Sequence, residues 1–300
     1  MSDRGRQRQA TNRKPAEDYR VAFIDAHVHV WTPDTAHYPL AKGFKKEDMK
    51  PASFTPEELF EHTKPAGVER INLIQMSYYG FDNRYMLDMI ATYPNVFVGT
   101  AVIDPHADAP DKLMTELAKK KVRAFRIHPA PSKQPPAKWL QPEGYEKMFA
   151  AGAKNNQAMS CLIDADALPE LDRQCKKYPE TPVIIDHLCR IGVKGTIDEK
   201  DVDALCAMAK HERVLVKIGA FYALGKKKAP YTDLGPMIKK VVKAFGAKRC
   251  TWESDCPFQV SDGHAYRDSI DLVRKRLDFL SDTDRDWLLT RTAEEFFFKK

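Results

Sequence analysis

Two histidines stand two residues apart, at His27 and His29, in the mostly apolar segment V-A-F-I-D-A-H-V-H. This segment predicts a β-strand, in which alternate side chains share a face. Asp25 and both histidines are therefore expected on the inner face, with the apolar residues between them on the outer face. Two neutral imidazoles that converge on one point can ligate a metal ion or polarise a carbonyl group.

Further groups suited to acid–base chemistry fall at the ends of other predicted strands. His187 ends P-V-I-I-D-H, with Asp186 expected on the opposite face, and Asp164 and Asp255 end C-L-I-D and C-T-W-E-S-D. An aspartate at a strand end can also cap the helix that follows, so this interpretation of Asp255 stays open. The recurrence of such groups on four strands favours a common site, because barrel enzymes assemble their sites at strand ends.

Short β-branched segments alternate with longer amphipathic ones from residue 21 onward, which is typical of strand–helix units around a parallel sheet. Eight such units predict an α/β fold, a (β/α)₈ TIM barrel in one domain that spans residues 21–300. An extra C-terminal helix is expected from Ser281, because Asp284 follows at capping-box spacing. The predicted strands are 21–29, 70–77, 96–103, 122–128, 158–164, 182–187, 213–219 and 249–255. The predicted helices lie near 56–66, 82–93, 109–120, 143–156, 167–177, 199–210, 232–245 and 264–280.

Charge and composition limit the class of protein. The formal net charge is +6, but residues 1–20 hold six Arg or Lys against three acids, so a disordered basic arm carries half of the excess. We therefore expect no nucleic-acid partner. The sequence shows neither a membrane span nor a secretory signal, which predicts a cytoplasmic protein without a membrane partner. Six scattered cysteines without a C-x-x-C pair predict free, mostly buried thiols.

Several motifs together resemble a known family. D-A-H-V-H on strand 1, I-D-H-L on strand 6 and S-D-C-P on strand 8 resemble the amidohydrolase superfamily, in its amidohydrolase-2 branch of lactonases and decarboxylases. The segments Y-P-L (38–40), Q-M-S-Y-Y-G-F-D-N (75–83) and V-K-I-G-A-F-Y (216–222) are similar to the 2-pyrone-4,6-dicarboxylate lactonase and sugar-lactonase group. The resemblance covers about residues 21–298 and implies a hydrolase.

The resemblance also implies roles for individual residues. Lactone hydrolysis needs a base for the attacking water and positive groups near the carbonyl oxygen. Asp255 is then the base, and the histidines polarise the carbonyl. A substrate carboxylate would pair with an arginine. The implied catalytic and metal-binding residues are His27, His29, His187 and Asp255, and the substrate-binding candidates are Arg126, Ser77, His128 and Arg190. Two alternatives stay open, a backbone-bonding hydroxyl for Ser77 and a surface salt bridge for Arg190.

The chain departs from the family pattern at three places. Asp164 stands where many metal-dependent relatives have a histidine, which leaves metal-free catalysis open. The remaining histidines and a carboxylate still suit one divalent metal, Zn²⁺ or Mn²⁺, which is therefore expected. Glu253 stands where relatives usually have glycine, and a buried carboxylate there is expected to meet a cation, Lys217 or Arg126. The segment 220–222 (A-F-Y) lacks the arginine of dicarboxylate lactonases, which argues against the pyrone dicarboxylate as substrate.

Three functions remain in competition. The first is a hydrolase that opens a lactone or related ester of a small acidic molecule. The second is a metal-dependent decarboxylase of an aromatic or muconate-type acid, which would use the same ligands. The third is a catalytically degenerate barrel that binds a small acid, suggested by Asp164 and Glu253. In each of them the partner is a small molecule, and assembly into a homo-oligomer stays open.

Overall fold

Eight parallel strands make up the central sheet of the protein. The computed structural model describes residues 22–129 and 135–299, and within them the strands pair in chain order from β1 to β8. The basic arm predicted for residues 1–20 lies outside the described residues. The strands are β1 Phe23–Val28, β2 Val68–Ile74, β3 Phe97–Ala101, β4 Val122–Ile127, β5 Ala158–Cys161, β6 Val183–Ile185, β7 Val214–Ile218 and β8 Cys250–Trp252.

The sheet nearly closes on itself where the segment after β8 meets β1. The backbone N–H of Asp255 donates to the carbonyl oxygen of His27 at 3.0 Å, and that of His29 donates to Cys256 at 2.8 Å. A parallel bridge joins Val28 to Cys256 at the same place. The predicted (β/α)₈ barrel is therefore confirmed, and three of the candidate site residues, His27, His29 and Asp255, lie at its seam.

Helices connect the strands on the outside of the barrel. Several begin with proline in the first turn, where its missing N–H costs nothing. The helices are α1 Pro56–Thr63, α2 Arg84–Thr92, α3 Pro110–Lys119, α4 Glu143–Asn155, α5 Leu168–Lys177, α6 Glu199–Ala207, α7 Gly235–Phe245, α8 Tyr266–Asp271 and α9 Asp282–Asp286. Helix α8 continues in a π-helical turn, Leu272–Arg276, and α9 in two, Trp287–Arg291 and Glu294–Phe298.

The predicted C-terminal helix starts as expected and covers one end of the barrel. The Ser281 hydroxyl accepts a hydrogen bond from the backbone N–H of Asp284, and the Asp284 carboxylate accepts one from the backbone N–H of Ser281, so the capping box is present. Farther along, Ala293 and Phe297 pack against small apolar side chains from the beginnings of the strands. These side chains are Ile24, Ala26, Val98, Ala124, Ala158 and Ile184. The opposite end, where the strands finish, stays free to carry a site.

The face assignment of Asp25 was wrong. The pairing of β1 with β2 shifts register between Asp25 and Val28, so strict alternation fails there. Ala26 packs with the interior cluster, whereas Asp25 accepts hydrogen bonds from the backbone of Ser254 at 2.9 Å and from the Tyr266 hydroxyl at 2.7 Å. Asp25 therefore ties β1 to the segment after β8 and to α8. Burial raises its pKa to about 6.

Two smaller expectations concern the cysteines and the membrane. All six cysteines lie among the described residues and are free thiols, with Cys206 the half-buried one. Within the described part of the chain, no helix is both long and apolar enough to span a bilayer.

Candidate active site

The two histidines of the first motif and Asp255 bring their side-chain atoms together at the barrel mouth. Nε2 of His27 lies 3.3 Å from Nε2 of His29. Oδ1 of Asp255 lies 3.5 Å from the first nitrogen and 3.4 Å from the second. Nδ1 of His29 donates to the carbonyl oxygen of Ile74 at 3.0 Å, so its Nε2 carries a lone pair toward the other two atoms.

His187 joins this group from the turn that follows β6. Both His187 and Asp255 have left-handed backbone conformations, with φ of 54° and 62°, which β-strands do not adopt. The predicted strands 182–187 and 249–255 were therefore too long at their ends, because the chain turns there to aim side chains into the barrel mouth. The predicted strand 158–164 was also too long, since β5 ends at Cys161. The strained backbone of His187 and Asp255 is of a kind common at functional sites. Arg126 reaches the same point, with Nη2 at 3.2 Å from Nε2 of both His27 and His187.

The placement of Asp186 corrects a second prediction. Expected to face away from His187, Asp186 is fully buried inside the barrel, because β6 already ends at Ile185. Its carboxylate accepts from Ser160 at 2.9 Å and pairs with Lys217 at 3.0 Å and with Arg126 at 3.3 Å. These ion pairs hold the pKa of Asp186 far below its ordinary value although burial alone would raise it.

The expected partner of Glu253 was also wrong. Lys217 pairs with Asp186, and the short contact of Glu253 is with His187, whose Nδ1 lies 2.7 Å from Oε1. Oε2 is buried and has no hydrogen-bond partner among the described residues. This oxygen lies 3.6 Å from Nδ1 of His27. Glu253 therefore faces two imidazoles.

Burial and charge set the protonation of these histidines. Burial, helped by the cations Lys217 and Arg126, lowers the pKa of His27 well below its ordinary value. Burial likewise lowers the pKa of His29. Burial by itself would also lower the pKa of His187. The nearby carboxylates, of which Glu253 has the largest effect, outweigh burial and raise the pKa of His187. His27 and His29 are therefore neutral near pH 7.

The two acids differ in the same way. Burial raises the pKa of Glu253 to about 7. Burial acts on Asp255 too, but His187, His29 and the Tyr222 hydroxyl stabilise its charge and hold its pKa below the ordinary value. Two carboxyl groups in one site often separate in this manner, and the one with the lower pKa stays ionised down to a lower pH. That one is Asp255.

A cavity of about 420 Å³ opens above these groups at the barrel mouth. Tyr222 lies in its wall and donates a hydrogen bond of 2.6 Å to Oδ2 of Asp255. Oδ1 of the same carboxylate is buried and has no hydrogen-bond partner within the described residues. The lining residues are His29, Arg126, Leu162, His187, Arg190, Val193, Ala220, Tyr222, Ala223, Leu224, Asp255 and Phe258.

The whole barrel matches a known family. A family model described as amidohydrolase covers residues 24–299. The chain belongs to the amidohydrolase family. As a member of that family it is a hydrolytic enzyme, and the motifs on strands 1, 6 and 8 that resembled the family are the ones whose side chains meet in the cavity.

Two curated relatives of this amidohydrolase are lactonases. The L-fucono-1,5-lactonase of Burkholderia ambifaria is 26% identical over 247 residues, which covers 80% of this chain and 82% of the relative. The 4-sulfomuconolactone hydrolase of Rhizobium radiobacter is 25% identical over 235 residues, covering 78% of this chain and 75% of the relative.

Solved structures share the barrel at lower identity. A probable 2-pyrone-4,6-dicarboxylic acid hydrolase from Acinetobacter baumannii, with citric acid bound, has a TM-score of 0.76 and 21% identity, covering 92% of this chain and 98% of that one. A zinc-bound amidohydrolase from Burkholderia multivorans has a TM-score of 0.75 and 18% identity, at 92% and 99% coverage. The manganese-bound 5-carboxyvanillate decarboxylase of Novosphingobium aromaticivorans has a TM-score of 0.66 and 12% identity, covering 94% of this chain and 98% of that one.

The donor atoms of this amidohydrolase fit a divalent metal ion. Four ligands at about 2.1 Å in a tetrahedron lie about 3.4 Å from one another. Nε2 of His27, Nε2 of His29 and Oδ1 of Asp255 are spaced at 3.3 to 3.5 Å, and Oδ1 is unpartnered in the described chain. One donor atom each of His27, His187, Glu253 and Asp255 also lie within 4.8 Å of one another.

The remaining predicted residues lie in different places. Arg190 pairs with Asp164 at 3.3 Å, as one of its two alternatives stated, and also lines the cavity, so its role in substrate binding stays a prediction. Asp164 lies half-exposed beyond the end of β5, away from the histidines. Ser77 is exposed in the turn after β2 and is not among the cavity-lining residues. His128 directly follows β4 and is half-buried, and burial lowers its pKa.

Two residues of the site were not recognised from the sequence. Tyr222 was noted for the arginine it replaces, and its hydroxyl instead orients Asp255. Phe258 lies in the cavity wall beside His29, with ring centroids 5.8 Å apart. Their position shortly after strands 7 and 8 was the available signal, since the loops that follow barrel strands line such sites.

Proposed function

We propose that this amidohydrolase opens the ring of a small lactone that carries an acidic group. The observation that carries the proposal is the environment of the two carboxylate oxygens of Asp255. One oxygen of its ionised carboxylate is held by Tyr222, while the other is buried at the cavity floor without a partner in the described chain. A buried acceptor without a partner is costly unless it has a task, and here it can accept a proton from water.

In the proposed reaction, Oδ1 of Asp255 takes a proton from a water molecule as the water oxygen attacks the lactone carbonyl carbon. The carbonyl oxygen gains negative charge and lies toward Arg126, whose guanidinium stabilises it. The ring C–O bond then breaks, and the leaving oxygen takes the proton back from Asp255. The product is a hydroxy acid, and the carboxylate is regenerated.

The cavity also suits an acidic substituent. Arg126 and Arg190 both line it, and guanidinium groups bind carboxylates or sulfonates through two parallel hydrogen bonds. The name of one relative, the 4-sulfomuconolactone hydrolase, agrees with a lactone that carries an acidic group. The name of the other, the L-fucono-1,5-lactonase, agrees with the lactone ring alone. The half-exposed Arg190 is the better candidate for the substituent, because its partner Asp164 is half-exposed and readily replaced, whereas Arg126 is held by the fully buried Asp186.

A divalent ion would be held by His27, His29 and Asp255, with His187 as a further ligand. When bound, it would act as a Lewis acid on the carbonyl oxygen. Zinc and manganese both suit imidazole and carboxylate ligands. The spacing of the donor atoms supports this assignment.

The test is a screen of γ- and δ-lactones, with and without a carboxylate or sulfonate substituent, in weakly buffered solution. Lactone opening releases one proton per turnover at neutral pH, whereas a decarboxylase would release carbon dioxide. We expect proton release that Asp255→Asn lowers by at least a factor of about 100. As a matched control, Glu170→Gln alters a buried carboxylate of α5 and should not change the rate. Carbon dioxide release, or full activity in the Asp255 variant, would overturn the proposal.

A further inference from the structure

Glu253 directly follows β8 and is fully buried below the cavity floor. Its backbone N–H donates to the carbonyl oxygen of Ile218 at 3.3 Å, so the residue lies across the end of β7. A Cβ atom at Gly219 would lie 2.2 Å from the backbone oxygen of Glu253 and 2.5 Å from both its Cγ and its Oε1. The glycine therefore leaves the space that the glutamate side chain fills, which makes the glutamate a built part of the site.

The carboxylate of Glu253 faces two imidazoles along the same edge. Oε1 lies 2.7 Å from Nδ1 of His187, and Oε2 lies 3.6 Å from Nδ1 of His27. The two rings lie with their centroids 4.5 Å apart. Their opposite edges, the Nε2 atoms, both lie 3.2 Å from Nη2 of Arg126. One carboxylate thus contacts both rings from below, and one guanidinium contacts both from above.

This arrangement determines where the proton of each ring lies. A guanidinium is always protonated and can only donate, so an Nε2 atom that it contacts favourably carries a lone pair. The proton of a neutral imidazole is then on Nδ1, where it is donated to a carboxylate. For His187 the 2.7 Å contact to Oε1 makes this assignment directly.

For His27 the assignment depends on Glu253. Lys217 lies 3.1 Å from Nδ1 of His27 and would favour a lone pair there, while Arg126 favours one on Nε2. A neutral ring cannot accept at both atoms. Oε2 of Glu253, which lies 3.6 Å from Nδ1 and has no hydrogen-bond partner within the described residues, favours the proton on Nδ1, and so does Oδ1 of Asp186 at 3.9 Å. The Nε2 lone pair of His27 then points to Nε2 of His29 and Oδ1 of Asp255.

We propose that Glu253 is a positioning residue that holds His27 and His187 with protons on Nδ1 and with both Nε2 lone pairs facing the cavity. It acts through the two histidines and neither takes the proton of the attacking water nor ligates the metal. The importance of these lone pairs for catalysis rests on the proposed function. The positions of the ring protons do not rest on the proposed function, because they can be measured without a substrate.

The first test is the variant Glu253→Gln, which replaces one carboxylate oxygen with an amide NH₂ of similar size. The amide oxygen can keep the contact with His187, whereas the NH₂ group then faces Nδ1 of His27 and can only donate. We expect long-range ¹H–¹⁵N correlation spectra to show that His27 alone changes its proton from Nδ1 to Nε2. The resonances are assigned from the spectra of His27→Gln and His187→Gln.

The second test measures zinc binding by titration calorimetry with zinc chloride, again without a substrate. Loss of an orienting partner of a ligating histidine typically weakens metal binding 10- to 100-fold, and we expect about that loss for Glu253→Gln. The matched control is Glu170→Gln, another buried glutamate, which pairs with Arg173 on α5. It should bind zinc within about twofold of the unaltered protein.

A second variant covers the case in which Glu253→Gln does not fold. Glu253→Asp keeps the charge but shortens the side chain by one methylene group, which draws the carboxylate back from both imidazoles, and we expect the same change at His27 and the same weakening of zinc binding. An unchanged proton position at His27 together with zinc binding within about twofold would overturn the proposal. So would an equal weakening in Glu170→Gln, since that would be a general effect of removing a buried charge.

Discussion

The Tyr222 hydroxyl donates a hydrogen bond of 2.6 Å to Oδ2 of Asp255, and it is supplied by the loop after β7 while the carboxylate follows β8. This bond helps to keep the pKa of Asp255 below its ordinary value against the effect of burial. It also leaves Oδ1 as the free oxygen that faces the two imidazoles. The orientation of the proposed base thus depends on a neighbouring strand.

Tyr222→Phe should lower kcat about 10- to 100-fold, since a hydrogen bond to a charged group contributes about 1.5–3 kcal/mol. The pKa of Asp255 should rise when the hydroxyl is lost, so the carboxylate becomes protonated at a higher pH. The acidic limb of the pH–rate profile is therefore expected to move upward in pH. Tyr38→Phe removes a tyrosine–carboxylate bond to Asp88 outside the cavity and should leave the profile unchanged. An unmoved limb in the Tyr222 variant would contradict this role.

The sequence predicted the barrel, its eight units and the meeting of His27, His29, His187 and Asp255, because hydrophobic periodicity and strand-end placement are local signals. It failed where strict alternation was applied beyond its range. The register shift after Asp25 and the end of β6 at Ile185 both changed the direction of an aspartate. The partner of Glu253 depends on contacts 66 residues apart in the chain, which no local pattern specifies.

Arg190 should determine substrate affinity more than rate. Its side chain is 39% exposed and lines the cavity beside an ion pair with Asp164. Arg190→Gln is expected to raise KM about tenfold for a lactone with an acidic substituent, a loss of about 1.4 kcal/mol, with kcat nearly unchanged. A neutral lactone should show no such change. The control Arg84→Gln removes an exposed arginine paired with Asp82. A loss that is equal for neutral and acidic lactones would contradict recognition of the acidic group.

Divalent ions should stabilise the folded protein through the three converging donor atoms. A ligand that binds only the folded state at 100 times its dissociation constant adds about 2.7 kcal/mol. We therefore expect zinc chloride to raise Tm of the metal-stripped protein. His29→Ala removes one of the three atoms and should abolish most of the increase. An identical increase in both proteins would place the binding elsewhere.

The buried hydrogen bond from Tyr266 to Asp25 should matter for stability. It links α8 to β1, and both residues are buried. Tyr266→Phe leaves one oxygen of a buried carboxyl group without its donor, which should lower the free energy of unfolding by about 1–3 kcal/mol. Tyr93→Phe removes a similar bond to Glu57 near the surface and should cost less than about 1 kcal/mol. Denaturant unfolding of both variants measures the difference, and equal losses would contradict the importance of burial.

Asp172 on α5 gives a prediction about pH that is independent of the active site. Its carboxylate contacts Lys176 at 2.7 Å, Lys210 at 2.6 Å and His211 at 2.7 Å. Burial alone would raise its pKa, but these partners outweigh burial and lower the pKa below the ordinary value.

A carboxyl group whose pKa is lower in the folded state stabilises the fold above its unfolded pKa, and this contribution is lost as the pH falls through the folded value. Asp172→Asn should therefore lower the free energy of unfolding by about 1–2 kcal/mol at pH 6. The difference from the unaltered protein should shrink steadily below about pH 4, because the unfolded carboxyl group binds its proton first. Urea unfolding between pH 3 and 7 measures it. A difference that stays constant down to pH 3 would show that the three partners act by packing and not by charge.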